Sequence, residues 1–174
     1  MAKREALRDL QSRLALRMQA VRSEHPQAAW LAVDCGGQGV LFPLQQAGEI
    51  FDFGTLVPVP HTRPWVLGVA NLRGGLHTVV DLAGFLGLPA AAARDQQRLV
   101  AFNPSLGTHC ALRVDRLQGL RHAADLTPLA DDPDVGSRRP AFAAARYSDA
   151  SGRLWQEIAL AALAVDASFL AIAA

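Results

Sequence analysis

Few residues in this sequence have the types and spacing that catalysis or metal binding requires. The five histidines are scattered, and no H-x-x-x-H or C-x-x-C spacing would place two ligands on one metal ion. His109 and Cys110 are adjacent, but neighbouring side chains on a strand point to opposite faces. We therefore expect a buried Cys110 beside an exposed His109, and we predict no enzyme activity, no metal site and no cofactor.

Asp115, in "RVDRL", is the remaining candidate for chemistry. A carboxylate at a strand end beside Arg113 and Arg116 is more often a turn cap or an ion-pair partner than a general base. Acid-base catalysis also needs a second positioned group, and the sequence indicates none. A small hydrolase that uses Cys110 or Asp115 is therefore a disfavoured alternative.

The most distinctive polar residue is Arg73, in "PWVLGVANLRGGLHTVVDL", which lies beside a Gly-Gly pair in an otherwise apolar run. The flanking apolar segments predict a β-hairpin with Gly74-Gly75 as its two-residue loop. This register places Arg73 opposite Leu76 and Asn71 opposite Thr78. An arginine at the rim of an apolar hairpin is typical of a surface that binds another protein.

Composition indicates a folded protein with a core of its own. The chain has 174 residues, of which 51% are hydrophobic and 19% are charged, and its formal net charge is +1. This length suits one domain, or two small subdomains that share one core. The near-neutral charge does not suggest nucleic-acid binding, and no apolar run has the length of a membrane span. Two distant cysteines favour reduced thiols, and we expect a cytoplasmic protein.

The order of elements is dominated by short strands. Residues 1–24 have the apolar spacing of an amphipathic helix, and "AWLAVDC", "GGQG" and "VLFPL" predict two strands joined by a glycine turn. Asp81 is positioned to cap a short helix, and residues 131–140 have the composition of a surface loop. Further predicted strands follow in "RLVAFN", "THCALRVDRLQGLR" and "AFAAARYS", and the chain closes with a strand and a short helix.

The segment "VPVPHTRPWVLGVANLRGGLHTVVDLAGFLGLP" resembles the signature of CheW-like domains, and "GVLFPLQQAGEIFDF" and "CALRVDRLQGLR" are similar to the elements before and after it. The resemblance places such a domain over residues 28–170 and implies a mainly β fold of two intertwined five-stranded SH3-like barrels. It also implies a non-enzymatic coupling protein. Such proteins bridge the cytoplasmic tip of a methyl-accepting chemoreceptor to the regulatory domain of a CheA-type histidine kinase, in arrays at the membrane.

The segment "TRPWVLGVANLRG" and the N-terminal extension are most similar to the PilI-type branch, which serves type IV pilus twitching motility. A flagellar chemotaxis coupling protein and a generic SH3-like ligand-binding module remain alternatives. The resemblance implies that Arg73 bonds to Glu49, with Asn71, Leu72 and Gly74 near the receptor-facing groove. The flanking partner-binding positions that it implies are Pro60, Val66, Gly68 and Val69.

Overall fold

The computed structural model describes residues 29–89, 96–130 and 139–174. The predicted N-terminal helix and residues 131–138 of the predicted surface loop lie outside these residues. The described chain forms eleven strands: β1 Ala29–Cys35, β2 Gln38–Pro43, β3 Ala47–Asp52, β4 Val66–Leu72, β5 Gly75–Asp81, β6 Arg98–Phe102, β7 Cys110–Val114, β8 Arg116–His122, β9 Leu126–Leu129, β10 Ala143–Asp149 and β11 Leu154–Ile158.

Helices in the described residues are single turns. They are α1 Leu82–Phe85, α2 Leu160–Leu163 and α3 Ala167–Leu170, together with 3-10 turns at Pro104–Leu106 and Ala123–Asp125. The short C-terminal helix that the sequence predicts is thus a pair of one-turn helices. None of the described helices is long and apolar enough to cross a membrane.

The strands form two sheets. One has six strands in the order β8-β1-β2-β11-β10-β9, and the other has five in the order β3-β6-β7-β5-β4. Most neighbours are antiparallel, whereas β2 pairs with β11 and β5 with β7 in parallel. The mainly β prediction with two strand systems is confirmed, and one of the two systems has six strands.

The buried apolar side chains of the described residues form three groups. The largest group combines residues of both sheets with the one-turn helices, for example Phe42, Leu112 and Leu160. Trp30 and Trp155 anchor a smaller group in the six-stranded sheet, and Val79 and Leu99 belong to a third in the five-stranded sheet. Because complete burial of one such side chain contributes about 1.5–3 kcal/mol, these groups are the main source of stability.

The glycine turn predicted after β1 is confirmed. Cys35 pairs with Gln38, so Gly36 and Gly37 form a two-residue loop, and both have positive φ angles. Asp115 Oδ2 accepts a hydrogen bond of 2.7 Å from the backbone N–H of Gly36. Asp115 therefore fixes a turn, as the sequence indicates, and burial raises the pKa of its carboxyl group.

The turn of the β4–β5 hairpin lies one residue earlier than the sequence predicts, so each cross-strand partner near the turn is shifted by two residues. Leu72 pairs with Gly75 and Asn71 with Leu76, so the loop consists of Arg73 and Gly74, not of Gly74 and Gly75. The physical reason is a side-chain bond that the backbone pattern does not include. The Oδ1 atom of Asn71 accepts a hydrogen bond of 2.8 Å from the N–H of Gly74 and places the turn one residue earlier.

Asp81 occupies the N-cap position of α1, but its side chain makes no capping hydrogen bond. Instead, Asp81 Oδ2 lies 2.6 Å from Arg113 Nη2, with 14% and 15% of the two side chains exposed. The parallel pairing of β5 with β7 sets these residues side by side. The ion pair takes the carboxylate that the helix would otherwise use, and removal of one member of a buried pair costs about 3–5 kcal/mol.

Cys35 and Cys110 are free and buried, while His109 is exposed, as the strand alternation predicts. Burial raises the pKa of each thiol from 9.0 to about 12. Since the thiolate is the reactive form of cysteine, neither side chain has the character of a nucleophile.

We predict that neither thiol of the folded chain reacts readily with dithionitrobenzoate at about pH 8, and that both react after denaturation in urea. The unfolded chain loses its thiol protons first, so the free energy of unfolding should fall as the pH rises from 9.0 towards about 12. Rapid labelling of one thiol in the folded chain would show that this cysteine is accessible.

Candidate functional site

An ion pair joins the two edges of the five-stranded sheet. Glu49 belongs to β3 and Arg73 follows β4, and these strands are the outermost ones in the sheet order. Nevertheless Arg73 Nη1 lies 3.0 Å from Glu49 Oε1. The sheet therefore curls until its edges approach each other. Arg73 and Glu49, which the family resemblance pairs, are in contact.

Backbone hydrogen bonds also join the two edges of the curled sheet, along a line that we call the seam. Residues 53–64 leave β3 and cross towards β4, where Val57 and Val69 exchange two hydrogen bonds of 2.9 and 2.8 Å. This segment contains three prolines, at positions 58, 60 and 64, which keep it extended. The Arg73–Glu49 bond thus lies at one end of a seam that is already held by the backbone.

The ion pair itself adds little stability. The Arg73 and Glu49 side chains are 76% and 53% exposed, and exposed pairs are worth about 0–1 kcal/mol. Arg73 also has a φ angle of +48°, in the left-handed region that costs a residue other than glycine about 1 kcal/mol. Asparagine or glycine would fit this backbone better, so the contribution of the arginine lies in its guanidinium group at the surface.

An exposed apolar face lies beside the Arg73 turn. Val57 pairs with Val69, and Asn71 pairs with Leu76, so the pleat places these four side chains on one face of the sheet. Leu76 is 66% exposed and Val57 is 64% exposed. We call Val57, Val69, Asn71 and Leu76 the β4–β5 face.

The opposite face of the hairpin lines the inside of the curled sheet. A hollow of about 300 Å³ opens there, and Phe51, Leu56, Leu72 and Arg73 are among its lining residues. Leu72 is half-buried against the small core of this sheet. The turn therefore presents a charged rim between an apolar outer face and an apolar hollow.

Comparison with known proteins assigns the family. The sequence model of the CheW-like domain matches residues 29–168, which is most of the chain. The chain belongs to the CheW-like domain family. Its two-sheet fold is also that of the scaffolding protein TtCheW from Thermoanaerobacter tengcongensis, with a TM-score of 0.63 and 18% identity over 76% of this chain and 88% of that one.

Two curated relatives add detail. Protein PilI of Pseudomonas aeruginosa is 34% identical over 87 residues, which are 50% of this chain and 48% of PilI. Chemotaxis protein CheW of Thermotoga maritima is 29% identical over 105 residues, 58% of this chain and 68% of the relative. The chain thus spans about half the length of the PilI protein that it matches.

The residues of the CheW-like motif divide into surface and interior positions. Glu49, Pro60, Asn71, Arg73 and Gly74 are exposed. Val69 and Leu72 are half-buried, whereas Val66 and Gly68 are buried. The motif residues that a partner can reach are therefore concentrated at the turn and on the segment that crosses to it.

Gly68 has a structural reason for its place in the CheW-like motif. Its φ angle is +136°, and a Cβ atom there would lie 2.3 Å from the carbonyl oxygen of Val57. Only glycine lets the crossing segment approach β4 closely enough to make the Val57–Val69 hydrogen bonds. Gly68 thereby positions Val57 on the β4–β5 face.

Val57 and Leu76 were not among the predicted partner-binding residues, although both lie in the segment that resembles the CheW-like signature. Alternation along "LHTVV" sets Leu76 on the same face as Val80, and Val80 is buried in the shared core. Leu76 is exposed because the core ends before it, and the sequence does not encode where that end lies.

Two histidines that look unrelated in the sequence are neighbours in the fold. The His77 and His109 rings lie 5.5 Å apart in an edge-to-face arrangement, and His77 Nδ1 is 3.0 Å from the carbonyl oxygen of Gly75. Within the described ranges, no group of three or more metal-binding side chains occurs. The pair therefore packs beside the hairpin without forming a metal cluster there.

We predict that Gly68→Ala lowers the free energy of unfolding by about 2 kcal/mol or more, because the new Cβ atom forces the crossing segment away from β4. Gly54→Ala is the matched control, since the space around Gly54 is open. It should change stability by no more than about 0.5 kcal/mol in the same urea titration. Equal stability of the two variants would show that the close approach at Gly68 is not needed.

Arg73→Asn should leave the free energy of unfolding within about 1 kcal/mol of the parent chain, because asparagine relieves backbone strain while the exposed ion pair is lost. Arg73→Val loses the same ion pair, but a β-branched residue is strained at positive φ, so we expect a loss of about 1–2 kcal/mol. Equal effects of the two substitutions on the melting temperature would contradict the proposed strain at this turn.

Proposed function

We propose that this protein is a non-enzymatic adaptor that couples a methyl-accepting chemoreceptor to the regulatory domain of a CheA-type histidine kinase. We further propose that it serves the chemosensory array of a type IV pilus system. The carrying observation is the family assignment together with an accessible Arg73 turn in the CheW-like motif. The pilus assignment is supported by the PilI relative and by the similarity of the segment "TRPWVLGVANLRG" to the PilI-type branch.

The β4–β5 face is the proposed source of binding energy. Leu76 and Val57 are large apolar side chains that remain mostly exposed. Removal of apolar surface from water contributes about 25 cal/mol per Å², and arginine is enriched among the residues that contribute most to the binding energy of interfaces. Arg73 would orient the partner at the rim, while Leu76 and Val57 would supply most of the affinity.

Two arrangements support an adaptor over the hydrolase alternative. Asp115 accepts its hydrogen bond from the Gly36 turn, and both thiols are buried with raised pKa values. A nucleophile or general base needs access to substrate and a positioned partner group. These side chains instead have stabilising roles in the fold.

The pathway can be decided by the identity of the captured kinase. A flagellar chemotaxis system is the second candidate, since chemotaxis proteins named CheW are also among the relatives of this chain. Purification of the tagged chain from its native cells, followed by mass spectrometry, should recover a CheA-type kinase and a methyl-accepting receptor. Genetic deletion should then impair twitching. Recovery of neither protein would overturn the adaptor proposal.

We predict that Leu76→Ser weakens binding of the purified cytoplasmic tip of the chemoreceptor by about tenfold, because it removes an exposed apolar anchor worth about 1.4 kcal/mol. Leu154→Ser is the matched control, since Leu154 has 65% exposure against 66% for Leu76 but lies in the other sheet. It should bind the purified receptor tip normally in the same titration. Equal binding by both variants would exclude the β4–β5 face as the contact surface.

A further inference from the structure

A large cavity lies on the side of the molecule where the two sheets and the C-terminal helices meet. Its volume is about 620 Å³, and its apolar lining includes Val40, Trp65, Phe85, Leu88, Phe142 and Ile158. Cavities that bind small molecules have volumes of about 300–1,000 Å³ and mainly apolar walls. This cavity is separate from the Arg73 turn, and no step of the proposed coupling function uses it.

The aromatic side chains at the cavity hold one another in place. Trp65 and Phe85 meet edge to face at 5.2 Å between ring centroids, and Phe85 lies 5.7 Å from Phe142. Phe169 stacks on Trp65 with 6.1 Å between the ring centroids. Rings locked in this way lose little conformational freedom when a ligand binds, so the site is preorganised.

A second cavity, of about 450 Å³, adjoins the first and shares Gln38 and Gln156 with it. Two arginines line this polar end, Arg146 and Arg153. Arg153 already pairs with Asp34 and packs over the Trp155 ring, at 4.4 Å from the ring centroid. Its charge is therefore satisfied within the protein.

Arg146 differs from Arg153 in its hydrogen bonding. Its Nε atom is buried and has no hydrogen-bond partner among the described residues. Neither cavity has an aspartate or glutamate among its described lining residues. A buried donor without a partner costs about 1–3 kcal/mol, and no carboxylate among these lining residues offsets the Arg146 charge, so an anion in the cavity can pair with the guanidinium group.

We infer that the two cavities together bind a small amphipathic anion. Its apolar body, of the size of two or three aromatic rings or a medium-length alkyl chain, lies against Trp65, Phe85 and Phe142. Its carboxylate, sulfonate or phosphate accepts hydrogen bonds from Arg146. The N-terminal segment of the chain is a poor competitor for this site, because residues 1–24 carry six basic and three acidic side chains, the wrong sign for Arg146.

The test uses two dyes that share an apolar body and differ in charge. Anilinonaphthalene sulfonate carries an anionic group, and phenylnaphthylamine lacks it. The full-length folded chain should bind one molecule of the sulfonate dye with saturable fluorescence. Arg146→Met should weaken that binding by about tenfold or more and change phenylnaphthylamine binding by less than about twofold.

Arg116→Met is the control for loss of a surface charge, since Arg116 is exposed and does not line either cavity. Ala143→Leu, which adds bulk to the wall of the apolar cavity, should weaken the binding of both dyes.

Decanoate should displace the sulfonate dye, whereas inorganic phosphate alone should not. No saturable binding by the parent chain, as expected if a segment of protein fills the cavities, would overturn the inference. Equal effects of Arg146→Met and Arg116→Met would overturn it too.

Discussion

The closure of the five-stranded sheet on itself is the constraint on which the candidate site depends. β3 and β4 are at opposite edges of that sheet, and the segment between them must cross from one edge to the other. It does so through two hydrogen bonds between Val57 and Val69, at a point where Gly68 has no side chain to obstruct it. Arg73 can reach Glu49 only because this seam is closed, and Val57 takes its place beside Leu76 for the same reason.

The shared core explains which apolar residues remain exposed. Both sheets contribute one face to it, so their strands bury alternate side chains over the length where the sheets overlap. The β4–β5 hairpin extends past that overlap and carries its apolar alternation into solvent at Leu76. The same alternation that builds the core thus leaves an exposed apolar surface at the hairpin, with Arg73 in a strained turn at its rim.

The sequence predicts local structure well where one interaction dominates. Alternating apolar residues identify the strands, and Gly36-Gly37 identifies the first turn. Two predictions failed where a side chain had a competing partner: Asn71 shifted the turn of the second hairpin by one residue, and Arg113 took the Asp81 carboxylate from the helix cap. The Arg73–Glu49 contact followed from the family motif alone. The cavity beside Arg146 had no sequence signal, because its walls come from segments that are far apart in the chain.

We propose that a partner docks on the hairpin that closes the five-stranded sheet. The sharpest test is hydrogen exchange of the full-length chain with and without the purified cytoplasmic tip of the chemoreceptor. Binding should slow exchange in residues 56–60 and 69–78 and leave the β9–β11 strands unchanged. Protection confined to the six-stranded sheet, with the hairpin still exchanging as in the free protein, would contradict it.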